Sequence, residues 1–238
     1  MYKNTGKSLK YLPFIAMAYV PVGLAATNNM AGTWNSITLS GDFEKVSPNL
    51  KDFHWLILEQ ARTRDDSPNG MRFSENLLFG QVGYSINKNA SVWLGYMHDW
   101  LHPLDKTAFQ ENRPYQDFLW KSSFDDLKFT SRSRLEQRIN ETTGNVGVRA
   151  RQLFQVNYPL KFVDKDLSVY AGDEVLCYLN ENTFGRTGFS ENRAFGGLSY
   201  QLTKHLGADL GYLGQFIDNK GATNIFTHNV QFNIRYQF

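Results

Sequence analysis

The clearest pattern in the chain is an alternation of apolar and polar residues over its last thirteen positions, Phe226 to Phe238. The even positions carry Phe, His, Val, Phe, Ile, Tyr and Phe, and the odd positions between them carry Thr, Asn, Gln, Asn, Arg and Gln. Successive side chains of a β-strand point to opposite faces, so this segment predicts a long strand with one apolar and one polar face. Strands of soluble proteins are usually about half as long.

Comparable segments recur along the chain and predict an all-β fold. Eleven segments have strand character: 33–40, 53–64, 75–86, 90–100, 108–119, 128–140, 145–158, 166–179, 190–202, 206–217 and 224–238. Long alternating strands joined by turns are typical of an antiparallel transmembrane β-barrel, here a single domain over 26–238. Because bacterial single-chain barrels have even strand numbers, we expect ten to twelve strands. Either the weak segment 33–40 is not a full strand or one more strand is present.

The turns predict which end of the barrel faces which side. Short turns at 87–89 and 203–205 and both chain ends are expected at the periplasmic side. The longer connections near 65–74, 101–108, 180–189 and 218–223 are then expected to face outwards.

The first 25 residues predict a cleaved signal peptide. Lys3, Lys7 and Lys10 precede a short apolar run, and Gly23 and Ala25 place small residues before a cut after residue 25. The run is too short for a membrane helix and contains two prolines, and no apolar run of 18 residues follows it. The sequence therefore predicts export to the cell outer membrane of a Gram-negative bacterium.

Composition narrows the partners that this protein can have. The chain has 25 basic and 23 acidic residues, and loss of three lysines with the signal peptide leaves 22 against 23. Such a balance gives no reason to expect nucleic-acid binding. The single cysteine, Cys177, excludes an intramolecular disulfide, and no motif predicts a cofactor or a metal site. The expected partners are outer-membrane lipid, the β-barrel assembly machinery and, in the channel hypothesis below, a small anionic solute.

Charged residues in the middle of the chain follow the polar face of their strands. Within 128–140, Arg132, Arg134, Glu136 and Arg138 share one parity, opposite to Leu135 and Ile139. A charge on the lipid face costs a few kcal/mol, about 2–4 for a cation at the bilayer centre, so these side chains are expected to point into the lumen.

The same rule predicts a belt of charges contributed by five successive strands in the outer half of the lumen. Its members are Glu111, Arg113, Arg132, Arg134, Glu136, Arg138, Arg149, Arg151, Glu174 and Arg193. The segment Leu58-Glu59-Gln60 matches Leu135-Glu136-Gln137 and predicts Glu59 as one further carboxylate. In this prediction at least five arginines face three or four carboxylates.

The order of these motifs resembles a known family. RSRLEQR at 132–138, ENRPY at 111–115, Arg149 with Arg151, and ENR at 191–193 carry the resemblance over nearly all of the mature chain. The family is proteobacterial, catalogued only as a domain of unknown function and grouped with outer-membrane β-barrels. Barrels of that class commonly end in an aromatic strand read by the assembly machinery, which implies an assembly signal at Phe232, Ile234, Tyr236 and Phe238. The resemblance implies no reaction or ligand.

Four functions remain open from the sequence. The belt is interpreted first as a structural plug, because small barrels fill their lumen with side chains and buried charges must pair. A small anion-preferring pore or anionic-ligand site is the second reading, because arginine rings favour anions. An outer-membrane lipid hydrolase is the third, although no serine is tied by motif to His98, Asp99 and His102, so no catalytic residue is assigned. A soluble periplasmic barrel with its apolar face inwards is the fourth.

Overall fold

The computed structural model describes residues 27–104, 107–219 and 223–238, so the predicted signal peptide 1–25 lies outside the described residues. Within the described ranges eleven strands close into one barrel. They are β1 Thr27–Asp42, β2 Phe53–Asp65, β3 Met71–Ser85, β4 Ala90–Leu101, β5 Phe109–Phe124, β6 Leu127–Asn140, β7 Val146–Pro159, β8 Leu167–Tyr178, β9 Gly188–Gln201, β10 Leu206–Ile217 and β11 Asn224–Gln237. Two single-turn 3-10 helices, Phe43–Lys45 and Pro48–Leu50, connect β1 to β2. No helix in the described ranges is long and apolar enough to cross a membrane.

Eleven strands lie within the expected ten to twelve, but the expectation of an even number is wrong, and so is the doubt about segment 33–40. That segment is the centre of β1, a strand of 16 residues. β1 pairs in parallel with β11, from Thr27 opposite Asn224 to Ser40 opposite Gln237, whereas every other neighbouring pair is antiparallel. An odd number of strands leaves the first and last running in the same direction, and their parallel pairing removes the open sheet edge that an unpaired strand would present.

Parallel closure also determines the end of the barrel at which β1 begins. β1 starts beside Asn224 and ends beside Gln237, so the start of the first strand and Phe238 lie at opposite ends of the barrel. The prediction that both ends face one side is therefore wrong. We name the two ends by their residues: the Phe238 end carries connections 43–52, 86–89, 125–126, 160–166 and 202–205, and the Asn224 end carries the connections that begin after Asp65, Leu101, Asn140, Tyr178 and Ile217. The connections have two to ten residues at the Phe238 end and five to nine residues at the Asn224 end. The expected contrast between short turns at one end and longer loops at the other is therefore weak.

The two faces of the sheet differ in polarity, with apolar side chains outside and charged side chains inside. Leu210 and Phe232 point outwards and are 60% and 44% exposed, while Arg134, Glu136 and Arg149 are buried inside the barrel. In the soluble alternative, apolar side chains would point inwards and these three charges would lie at the outer surface. The strands of this chain have the opposite orientation, so that expectation is wrong.

Glycines in the strands make room for large side chains inside the barrel. A Cβ atom at Gly95 would lie 2.3 Å from the ring of Tyr115, which fills the lumen beside Leu77 and Met97. The close approach explains why a residue without a side chain stands in the middle of β4.

The parallel closure can be tested by cross-linking. Leu39 and Tyr236 are direct partners across β1 and β11, whereas Ala31 pairs with His228 at the other end of the same two strands. With Cys177 replaced by serine, Leu39→Cys/Tyr236→Cys is expected to form an oxidised cross-link, and Ala31→Cys/Tyr236→Cys is not. A gel under non-reducing conditions reads both, and cross-linking of the second pair alone would mean that β1 does not run parallel to β11.

Candidate functional site

The strand register brings inward charges of opposite sign together in one layer. Glu136 on β6 stands directly opposite Arg149 on β7, and Glu174 on β8 stands directly opposite Arg193 on β9. Inward residues of neighbouring strands lie about 4.5–5.5 Å apart at their Cβ atoms, and diagonal neighbours somewhat farther, so long arginine side chains reach two carboxylates. The result is a network of ion pairs across the barrel, which we call the septum.

Glu136 is the most enclosed carboxylate of the septum, with no exposed surface. Its Oε1 lies 2.5 Å from Nη2 of Arg149, and its Oε2 accepts a hydrogen bond of 3.0 Å from Nη1 of Arg151. Both arginines are also buried. Two guanidinium groups thus compensate one carboxylate in a space without exposed surface, as a buried charge requires.

Glu174 joins three arginines from three strands. Its carboxylate lies 2.7 Å from Arg132, 2.8 Å from Arg151 and 3.4 Å from Arg193. Because Arg151 contacts both Glu136 and Glu174, the two carboxylate centres form one continuous network.

Glu111 forms the third centre. Arg138 donates to both of its oxygens, at 2.6 and 2.9 Å, and Nε of Arg113 donates at 2.6 Å. Arg113 also pairs with the buried Asp99. The bidentate pair of Arg138 and Glu111 holds both side chains in one orientation, which a lysine could not do.

Three arginines of the septum also stack on aromatic rings. The guanidinium carbon of Arg62 lies 3.7 Å from the ring centroid of Trp34, and that of Arg193 lies 5.0 Å from it. Arg134 stacks on Tyr115 at 3.7 Å while donating twice to Asp117, at 2.7 Å each. These contacts tie the charged layer to the apolar side chains of the lumen.

All ten residues of the predicted belt point into the lumen and take part in the septum. The sequence reasoning missed one arginine and four carboxylates, which are Arg62, Glu75, Asp99, Asp117 and Glu191. Within the described residues the septum therefore pairs eight arginines with seven carboxylates, and the large arginine excess expected from the sequence is not present. Parity would have found Asp117 and Glu191, which share the inward face with Arg113 and Arg193.

Glu59 is not a member of the septum. It stands opposite Ile37 and Leu78, two exposed apolar residues, so it faces outwards, where it accepts a hydrogen bond of 2.5 Å from Asn76. The match of 58–60 to 135–137 fails because β2 has the opposite parity: there Leu58 points inwards, whereas Leu135 in β6 points outwards.

The septum separates two cavities of the lumen. A cavity of about 490 Å³ lies on the Phe238 side, and one of about 410 Å³ lies on the Asn224 side. Arg62, Arg113 and Arg193 line both cavities. The charged layer thus borders both cavities.

The remaining predicted residues lie outside the septum. Phe232, Tyr236 and Phe238 are exposed on the outer face, with Ile234 half-buried between them, and Phe238 contacts the rings of Tyr236 and Trp55. His98 faces outwards and hydrogen-bonds Asn112 and Gln110, at 3.2 and 2.9 Å. His98 and Asp99 do not lie together, because adjacent strand residues point to opposite faces and Asp99 lies in the septum.

Comparison with known proteins identifies relatives without an assigned function. A family model described as "Protein of unknown function (DUF2490)" matches residues 31–226. An uncharacterized protein of Methylorubrum extorquens is 28% identical over 155 residues, which covers 64% of this chain and 68% of that protein. The predicted resemblance to a domain of unknown function is confirmed by this match.

Proposed function

Because the chain belongs to the DUF2490 family, whose function is unknown, we propose its role from its own architecture: it is an exported β-barrel of the Gram-negative outer membrane whose lumen is closed by the septum. The carrying observation is the inverted polarity of the barrel. Apolar side chains such as Leu94, Leu210 and Val230 project outwards at half exposure or more, and ion pairs fill the inside. Lipid around the barrel is the solvent that this arrangement fits.

Aromatic residues near the Phe238 end support the same proposal. Tyr84, Trp120, Tyr158, Tyr200 and Tyr236 are all exposed and stand near the last residues of strands that end there. A ring of such side chains is typical of the boundary between lipid and water. Insertion would proceed through the β-barrel assembly machinery, with Phe232, Ile234, Tyr236 and Phe238 as its proposed signal.

Polar side chains on the outer face are paired with one another. Gln116 contacts Gln137 at 3.3 Å, Ser133 donates to Gln152 at 2.6 Å, and the amide of Asn192 donates to both oxygens of Asp173, at 2.9 and 3.0 Å. A polar group facing lipid without a partner is costly, and lateral pairing between neighbouring strands reduces that cost.

Closure of the lumen follows from the pairing of its charges. An anion filter needs cationic groups that are free to meet the solute, whereas all eight arginines of the septum have a carboxylate partner. Paired and buried charges favour a plug. In this proposal the septum closes the lumen, and one cavity lies on each side of it.

Two lysine substitutions at exposed leucines test the membrane location. Leu210 lies in the middle of β10, and Leu202 lies in the connection between β9 and β10, with exposures of 60% and 53%. Leu210→Lys is expected to reduce insertion, because a lysine near the bilayer centre costs about 2–4 kcal/mol, whereas Leu202→Lys is expected to behave like the unsubstituted protein.

The readout is the amount of folded protein that stays in the envelope through carbonate extraction and is released by detergent. Equal recovery of both variants after carbonate would mean that neither Leu210 nor Leu202 faces lipid. Release of the unsubstituted protein by carbonate would end the proposal of an integral barrel.

A further inference from the structure

A serine, a histidine and an aspartate meet at the Phe238 end of the barrel, away from the septum. β1 ends at Asp42, β2 begins one residue before His54, and β3 ends at Ser85. The register places Asp42 directly opposite His54, and His54 opposite Gly83, two residues before Ser85 on the same face of β3. Three strand ends thus bring together residues that are 12 and 31 positions apart.

The contacts within this group have the order that nucleophilic catalysis requires. Nε2 of His54 lies 2.7 Å from Oγ of Ser85, and Nδ1 of His54 contacts Oδ1 of Asp42. One tautomer satisfies both contacts: Nδ1–H donates to the carboxylate, and Nε2 accepts the hydroxyl proton of Ser85. A hydroxyl bound to a base, which is held in turn by a carboxylate, is the arrangement that activates serine in hydrolases of unrelated folds.

The group is open to a substrate. The side chains of His54 and Asp42 are 25% and 44% exposed, and Ser85 is half-buried at the rim of the barrel. A hydrogen bond between side chains of such exposure contributes little to stability, so the geometry is not explained by stability alone.

On one side of the lumen, a row of apolar side chains leads inwards from this group. The two strands that carry His54 and Ser85 continue inwards as Leu56, Leu58 and Phe79, with Leu58 directly opposite Phe79. These side chains line the cavity of about 490 Å³, which the septum closes at its far end. The rest of the cavity wall is largely polar and includes Gln155, Asn157 and Arg235, so a hydrocarbon chain fits along the side that β2 and β3 line with Leu56, Leu58 and Phe79.

From this geometry we propose that the protein is an esterase for long-chain acyl esters, with Ser85 and His54 as catalytic residues and Asp42 as the residue that positions His54. The acyl chain lies along Leu56, Leu58 and Phe79, and its ester group lies at the rim. The inference rests on the barrel and its cavity, and it does not depend on the membrane location proposed above.

The reaction is acyl transfer to serine followed by hydrolysis. Oγ of Ser85 attacks the carbonyl carbon while its proton passes to Nε2 of His54, and the bond from that carbon to the alcohol oxygen breaks as His54 returns the proton to the leaving alkoxide. Water then attacks the acyl-serine and gives a proton to His54. The carboxylic acid departs, and Oγ of Ser85 recovers that proton.

The first experiment measures hydrolysis of p-nitrophenyl palmitate by the purified, folded barrel and its labelling by a fluorophosphonate probe. Ser85→Ala is expected to abolish labelling and to lower kcat by about 100-fold or more, and Asp42→Asn is expected to lower kcat with little change in KM. Ser91→Ala is the matched control, because Ser91 is the direct partner of Ser85 across β3 and β4 but its hydroxyl binds the indole of Trp93. Heat-dependent migration on a gel shows that each variant is folded.

A second variant tests the acyl pocket. Leu58→Trp fills the cavity beside Phe79, so hydrolysis of the palmitate ester is expected to fall about 10-fold or more while that of the butyrate ester stays within about twofold. Folded unsubstituted protein without labelling or turnover would overturn the proposal. Equal activity of Ser85→Ala and Ser91→Ala would do so too, and an equal loss of both ester activities in Leu58→Trp would remove the acyl pocket from it.

Discussion

Glu136→Gln is expected to lower the free energy of unfolding of the barrel by about 3–5 kcal/mol, the usual cost of leaving a buried charge without its partner. The amide keeps the shape of the carboxylate but not its charge. Arg151 retains Glu174 at 2.8 Å, whereas Arg149 is left with Glu191 at 3.6 Å. The loss therefore falls on a buried guanidinium whose nearest remaining carboxylate lies 3.6 Å away.

Glu44→Gln is the matched control for that substitution. Glu44 is exposed in the connection between β1 and β2, so its change is expected to stay within about 0.5 kcal/mol. Urea titration of both variants, followed by tryptophan fluorescence and by heat-dependent gel migration, measures the difference. If Glu136→Gln unfolds at the same urea concentration as Glu44→Gln, charge pairing in the septum does not hold the barrel together.

The double variant Arg62→Ala/Arg193→Ala is expected to open the lumen and produce ion conductance. Both side chains line both cavities and both cover the ring of Trp34, so their removal joins the two spaces. Their partners Glu75 and Glu191 stay in place and lose these cations. The new path is therefore expected to prefer cations, as rings of carboxylates do.

Arg72→Ala/Arg235→Ala removes the same charge without touching the septum. Arg72 pairs with Asp66 in the connection between β2 and β3, and Arg235 pairs with Asp209 on the Phe238 side of the lumen. Single-channel recording of both folded double variants distinguishes them. Silence from Arg62→Ala/Arg193→Ala would mean that other side chains close the lumen, and conductance from both would mean that loss of charge anywhere loosens the barrel.

The alternation of residues was enough to predict the barrel class and the inward position of the belt. Parity is a local property, so Arg134 and Glu136 could be placed inside by comparison with Leu135 alone. Glu59 was placed inside by the match of 58–60 to 135–137 and not by parity, and the match fails because Gln60 and Arg62 belong to the inward face of β2. Lateral pairing with Asn76 makes its outward position tolerable.

The number and direction of strands could not be predicted because they depend on pairing between distant segments. Nothing within 27–42 shows that this strand meets 224–237 in parallel. Register has the same non-local origin. Asp42, His54 and Ser85 form no motif in the sequence, and only the pairing of β1, β2 and β3 brings them within hydrogen-bonding distance.

Closure of the lumen is tested most directly by recording the unsubstituted, folded barrel in a planar bilayer. Because every arginine of the septum pairs with a carboxylate, protein with a heat-dependent gel shift is expected to give no conductance steps. Anion-selective steps that weaken in Arg134→Ala or Arg149→Ala would contradict the closed septum and identify these arginines as the filter of an open channel.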